Sequence, residues 1–327
     1  MARVGLCAGV FLAAVACGSP PPPAGTDAGS VDGGTFDAGM TGDAGVRDAG
    51  TSCTACEGYG AAAAIGRVAS NVLDEISGLA ASRAHPAVLY AHNDSGDRAR
   101  FFAIDEGGTL LGTFNVTNAS ACDWEDMALG PCPTGTCVFL AEIGDNNDCV
   151  RNATYTIYRV EEPEVSVGSP VGTQSVTATA FPFKYPDGLR RNAETLLVHP
   201  VTGDLYLVSK SSADPSRVYR FPNPMTPGQV ATLEEIGQVS YPTGAKETTG
   251  GDIHPCGGRV LLRTYTHAWE LRVDDRDRFE VAFAAIPTPV TAPLEPQGEA
   301  VTYRADGMGW ISVSEGLNPP VNQVACQ

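Results

Sequence analysis

The residues best equipped for chemistry in this chain are acids, and they fall in a repeat. A hexamer returns five times: Glu75-Ile-Ser-Gly-Leu-Ala, Asp123-Trp-Glu-Asp-Met-Ala, Asn192-Ala-Glu-Thr-Leu-Leu, Thr249-Gly-Gly-Asp-Ile-His and Gln297-Gly-Glu-Ala-Val-Thr. The fifth position is always apolar, and the positions before it are small or acidic. An apolar run follows each hexamer and ends in polar residues. These ends read His92-Asn-Asp-Ser-Gly-Asp97, Glu142-Ile-Gly-Asp-Asn-Asn147, Ser209-Lys210, Arg263-Thr-Tyr265 and Ser314-Glu-Gly316. If the copies meet in space, Glu75, Asp123, Glu125, Asp126, Glu194, Asp252 and Glu299 converge, with Lys210 and Arg263 nearby. Charges at that density repel unless a cation, shared protons or basic groups relieve them. An oxygen-only donor set suits Ca²⁺, which takes about six to eight oxygen ligands. Asp94 and Asp145 also have a plainer reading, as turn residues that hydrogen-bond the local backbone.

The element that would bring these acids together is a propeller blade. The apolar positions Leu79, Met127, Leu196, Ile253 and Val301 lie 48, 69, 57 and 48 residues apart, a period of propeller length. Short β-branched and aromatic runs broken by Gly, Pro, Asn and Asp supply strands. They predict an all-β fold, a single five-bladed propeller in which each hexamer begins an inner strand at the central channel. Six blades are the alternative, because the 69-residue interval leaves room for one more. The outer strands are expected near residues 110–116, 174–183, 234–240 and 279–286. The last blade is a strand short, and residues 64–68 have no other partner. They are expected to close the ring by joining it, which removes exposed sheet edges. A β-sandwich would also give short strands, but it leaves the recurring hexamer unexplained.

Several chemistries find no support. The sequence has no Gly-x-Ser-x-Gly elbow and no His-Glu-x-x-His motif. Its five histidines are scattered, and Gly58-x-Gly60 is too incomplete for a nucleotide loop. A net charge of -17 argues against nucleic acid.

The first 56 residues set the compartment. Residues 4–16 form an apolar run too short to span a bilayer but of signal-peptide length. It ends in Ala14-Val-Ala-Cys17-Gly, which resembles a bacterial lipoprotein signal and implies lipidation of Cys17 after cleavage. Residues 1–16 are therefore expected to be a signal peptide. Residues 17–56 are expected to be a tether, with consecutive prolines and repeated Asp-Ala-Gly that bury too little to order. Residues 57–327 would form the propeller. The chain is then expected to be exported to the cell envelope, as a monomeric lipoprotein anchored to the outer membrane. An even set of cysteines remains: Cys53, Cys56, Cys122, Cys132, Cys137, Cys149, Cys256 and Cys326. In an exported protein these read as disulfides. Cys132 and Cys137 close a hairpin, Cys122 and Cys149 bracket two strands, and Cys256 and Cys326 pair with each other or with Cys53 and Cys56.

Two resemblances add to this reading. Residues 192–210 and 297–315 look like blades of the calcium-dependent β-propeller phytases. That likeness implies calcium at the channel mouth, with Glu194, Glu299 and Glu315 as ligands, although Lys210 stands at an acid position of the family's pattern. A closer likeness, across residues 70–316, is to exported bacterial propellers of uncharacterised activity. It is carried by Asn93-Asp-Ser-Gly96, Asp123-Trp-Glu-Asp126, Gly144-Asp-Asn146 and Arg263-Thr-Tyr265, and it implies fold and location. The expected function is capture of a small-molecule ligand, a divalent metal or an envelope protein at the acidic mouth. Asp94, Asp145, Lys210, Arg263 and Tyr265 are the ligand-binding candidates. The alternative is a calcium-dependent hydrolase, phytase-like or an esterase. In it Glu125, Glu194, Glu299 and Glu315 hold metal, Lys210 and Arg263 neutralise the substrate, and Asp126 is the base.

Overall fold

Strand alternation and turn residues place the chain in five sheets, and the computed structural model describes residues 56–145, 152–213, 215–273 and 276–327. The expected signal peptide and tether, Cys17, Cys53 and Cys149 lie outside the described residues. The described chain opens with β1 (Ala63–Arg67). Blade one contains β2 (Ile76–Ala81), β3 (Val88–Asn93), β4 (Arg100–Asp105) and β5 (Leu110–Thr117). Blade two contains β6 (Trp124–Cys132), β7 (Gly135–Glu142) and β8 (Tyr155–Glu161). The chain then makes β9 (Gly172–Thr177) before returning as β10 (Thr179–Lys184), the fourth strand of blade two.

Blade three holds β11 (Ala193–Val198), β12 (Leu205–Ser209), β13 (Ser216–Arg220) and β15 (Glu234–Val239), with β14 (Ala231–Thr232) between the last two in sequence. Blade four holds β16 (Thr248–Ile253), β17 (Arg259–Thr264), β18 (Ala268–Arg272) and β19 (Thr288–Val290). Blade five holds β20 (Gly298–Tyr303), β21 (Gly309–Ser314) and β22 (Pro320–Ala325). The fold is a five-bladed β-propeller.

The ring closes as the sequence predicts. β1 pairs antiparallel with β22 and becomes the outer strand of blade five. Two further exchanges were not foreseen. β9 crosses back to lie parallel to β5 of blade one, and β14 lies parallel to β10 of blade two. The stretch expected as one outer strand at 174–183 is thus two strands in different blades.

A second expectation also changes. Residues 279–286 are not the outer strand of blade four. A 3₁₀ segment, Arg276–Ala284, occupies most of that stretch, and β19 takes the outer place. Alternation would bury 279, 281 and 283. Instead Val281 is 45% exposed while Phe279, Ala282 and Phe283 are buried, which is helical spacing.

Packing lies between blades, in five apolar clusters. Trp124 and Met127 of blade two meet Tyr90, Phe101 and Phe114 of blade one. Tyr155 and Phe183 meet Tyr219 and Phe221, and Tyr206 meets Trp269, Phe279 and Phe283. Leu261 and Ala268 meet Val301 and Trp310, and Ile311 and Val313 meet Leu89 and Phe102. Each fully buried large side chain contributes roughly 1.5–3 kcal/mol.

Polar staples fix the rotation of one blade on the next. Asp126 accepts from its neighbour Met127 N (2.8 Å) and from Leu196 N of blade three (2.8 Å). Asp252 accepts from Ile253 N (2.7 Å), and from Tyr303 N (2.9 Å) and Thr302 Oγ1 (3.0 Å) of blade five. Thr302 Oγ1 accepts in turn from Ala81 N of blade one (3.1 Å).

A covalent clasp secures the ends. Cys56 and Cys326, 270 residues apart, are disulfide-bonded. Arg259 donates to Cys56 O, and Tyr59 donates to Glu270 (2.7 Å). Cys132 and Cys137 close the β6–β7 hairpin as expected. Cys122 and Cys256 each take part in a further disulfide, with a partner outside the described residues. Cys326 pairs with Cys56, which settles the alternatives left open for it. Among the described residues no helix is long and apolar enough to cross a membrane.

Candidate functional site

The third hexamer position lies near the start of each inner strand. It brings Glu125, Glu194 and Glu299 to one end of the ring, all buried. Ser77 stands at this position in blade one, and in blade four the strand register puts Thr249 there, two residues before Gly251 of the hexamer. Second-strand ends deliver Asp94 after β3, Gly144 after β7, Lys210 after β12, Tyr265 after β17 and Glu315 after β21. The sequence-derived candidates Asp94, Glu125, Glu194, Lys210, Tyr265, Glu299 and Glu315 therefore share one electrostatic neighbourhood. Each acts on the charge of at least one other.

The tightest grouping is Asp94, Asp123 and Glu125, which each offer an oxygen within 4.8 Å of the other two. Local structure holds them there. Glu142 accepts from Cys122 N (3.0 Å) and Asp123 N (3.1 Å), which anchors the start of β6. Ser77 donates to Glu125 O, and Asp94 N donates to Glu75 O (2.8 Å). Gly144 lies against the pair from blade two. A Cβ built on it would fall 1.9 Å from Glu125 Oε1 and 2.4 Å from Asp123 Oδ2. Glu125 is 2% exposed, yet its Oε1 has no hydrogen-bond partner among the described residues. A buried acceptor left so is costly, and more so when charged.

Beside this trio Lys210 Nζ pairs with Glu194 Oε1 and donates to the Tyr265 hydroxyl (2.8 Å). The second oxygen of Glu194 has no partner among the described residues. The Glu315 carboxyl lies beside Glu299, and Gln297 donates to Glu315.

Proton affinities follow from burial and crowding. Burial, then the charges of Glu194, Asp94 and Asp123, push Glu125 well above the usual carboxylate range. Burial pushes Asp94 up to about 6, reinforced by Asp123 and Glu315. Burial lifts Glu194 to about 7, against the pull of Lys210. Burial and the Glu315 carboxyl lift Glu299 to about 10. Burial opposes the charge on Lys210, but Glu194 and Tyr265 outweigh it and raise its affinity for a proton.

Three candidates lie elsewhere. Asp126 is spent on the backbone of blades two and three and does not face the trio as a free base. Burial holds its carboxyl well above the ordinary range. Arg263 is 0% exposed and pairs with Glu295 (3.0 Å), with its guanidinium against Gly298 of blade five. Asp145 pairs with Arg190 beyond β7. Asp123 is in the repeat but outside the expected ligand set. In the sequence Gly144 stands only as the first residue of Gly144-Asp-Asn146, and its place under two carboxylates has no local signature.

The donor set is oxygen only, Asp123 and Glu125 are buried and Asp94 half-buried, and one oxygen has no partner among the described residues; these residues fit a divalent cation. These acids lie at the far end of the sheets from the clasp. β21 begins at Gly309, paired with Ala325 beside Cys326, and ends at Ser314 beside Glu315. At about 3.3 Å per residue that separates the two ends by roughly 17–20 Å. No protein-family model matches this chain, and no curated protein matches it either.

Proposed function

We propose that the channel mouth binds a divalent cation, Ca²⁺ by its donor chemistry, and that the propeller is a cation-dependent binding module working outside the cytoplasm. The observation that carries this reading is the orphaned Oε1 of buried Glu125 facing Asp94 and Asp123. Carboxylates buried together must be protonated or matched by positive charge, and Lys210 already serves Glu194. A cation held by Asp94, Asp123 and Glu125 would complete its shell with ligand or water oxygens. The disulfides support an oxidising compartment. A lipid on Cys17 would hold the protein to a membrane.

A second reading, calcium-dependent hydrolysis of a phosphomonoester or ester, is favoured by the Lys210 ammonium and Tyr265 hydroxyl beside the acids. That pair is suited to holding an oxyanion. In this reading a mouth carboxylate takes the place of Asp126 as base.

The test is thermal unfolding of the exported domain in EDTA and in excess Ca²⁺. Binding at 100 times Kd stabilises by about 2.7 kcal/mol, a shift of several degrees. Equal melting in both buffers contradicts both readings. Where the shift appears, release of phosphate or chromophore from model esters separates the enzyme from the binder.

A further inference from the structure

We infer that Gly144 is the positioning residue of the cation site: only a residue without a side chain lets Asp123 and Glu125 close on one ion. This rests on the cation reading above and adds a requirement to it. Two carboxylate oxygens, one from β6 and one from the residue just before it, abut the same α-carbon, and a Cβ there would sit 1.9 Å from Glu125 Oε1 and 2.4 Å from Asp123 Oδ2. Contacts that short force the carboxylates to move. Both are buried, and β6 is anchored by Glu142 and Ser77. The direction left to them is away from Gly144 and apart.

Backbone conformation does not explain the glycine. Gly144 is not among the residues with positive φ, so alanine is permitted there. Its N–H donates to Asp123 O (3.2 Å), a bond alanine keeps. Other glycines lie at this end, but Gly96 and Gly316 are open around the Cβ position and Gly250 meets the Glu299 backbone carbonyl and the Val301 side chain. Gly144 alone among these four faces the carboxylates of the trio. The orphaned Oε1 of Glu125 is the oxygen it touches most closely. The site therefore needs three things of blade two: Asp123, Glu125 and an empty position after β7.

The experiment is a titration of the folded domain with Tb³⁺, read by luminescence sensitised through neighbouring Trp124, and with Ca²⁺ as competitor. Gly144→Ala is expected to weaken Ca²⁺ by about 10- to 100-fold, as loss of supporting residues around metals does. Its circular dichroism and its melting in EDTA should match the parent. Glu125→Asp withdraws the carboxylate by one methylene and should also weaken binding. Combined with Gly144→Ala it should recover affinity relative to Gly144→Ala alone, because the shorter acid makes room for the Cβ. A parent that binds while Gly144→Ala binds within threefold of it overturns this inference and leaves the cation reading standing. A parent that binds no cation overturns both. If Gly144→Ala does not fold, the double variant decides: folding and Ca²⁺ binding regained beside Glu125→Asp support the steric role, and a double variant that also fails to fold removes it.

Discussion

Two buried glutamates, one at each end of the ring, meet opposite fates. Near the clasp, Glu270 is 0% exposed and receives the Tyr59 hydroxyl (2.7 Å), the Tyr303 hydroxyl (3.0 Å), Arg259 (3.1 Å) and Arg272 (2.8 Å). At the other end, Glu125 is almost as buried, but one of its oxygens has no partner among the described residues and faces other carboxylates. The first is a carboxylate the fold needs. The second is one the fold tolerates, and that difference marks where binding belongs. The same contrast appears between neighbours in one hexamer. Asp126 spends both oxygens on backbone N–H groups, while Glu125 beside it faces the trio.

Removing the satisfied partner should have the larger effect. Glu270→Ala leaves Arg259 without its buried counter-charge and should cost about 3–5 kcal/mol, read by chemical denaturation with Ca²⁺ absent. A loss under 1 kcal/mol would mean that the clasp does not depend on this carboxylate. Glu125→Gln should act in the opposite direction. It relieves like-charge crowding, so the metal-free domain should gain about 1 kcal/mol while its stabilisation by Ca²⁺ falls. Destabilisation of the metal-free form would place Glu125 with Glu270 as a structural acid.

The smallest and most graded effect is that of pH. Asp94, Glu194 and Glu299 all have proton affinities raised in the folded state. Between the ordinary carboxylate value and the raised one, the folded chain holds more protons than the unfolded chain, so stability falls as pH rises. His92, His199 and His254, whose proton affinities burial lowers, oppose this below about pH 6.5, so without cation the domain should melt lower at each step from pH 7 to pH 9. With Ca²⁺ present the slope should flatten, because the ion replaces the protons. Parallel slopes with and without Ca²⁺ would separate the mouth acids from cation binding.

How far the sequence reveals these fates depends on how local each one is. The blades are legible because one apolar position per hexamer and one polar end per second strand are local features. Closure by β1 follows from counting strands in the last blade. The exchange of β9 is not legible, because only Ala178 separates it from β10 and both stretches alternate like one strand. Phe279, Val281 and Phe283 mimic a strand while the chain buries helical neighbours. At the site, residue type shows which positions carry charge, but not which charges find a donor. Asp126 and Arg263 look like chemistry in the sequence and serve the joints between blades instead. Gly144 matters through the space it leaves, which only the packing of two blades reveals.

The most direct measurement is the anomalous difference map of a crystal of the exported domain grown with Ca²⁺ or Tb³⁺. An ion coordinated by Asp94, Asp123 and Glu125 is the expected result. A saturated crystal with no peak there, or with the ion held by residues at the clasp end, would contradict the account.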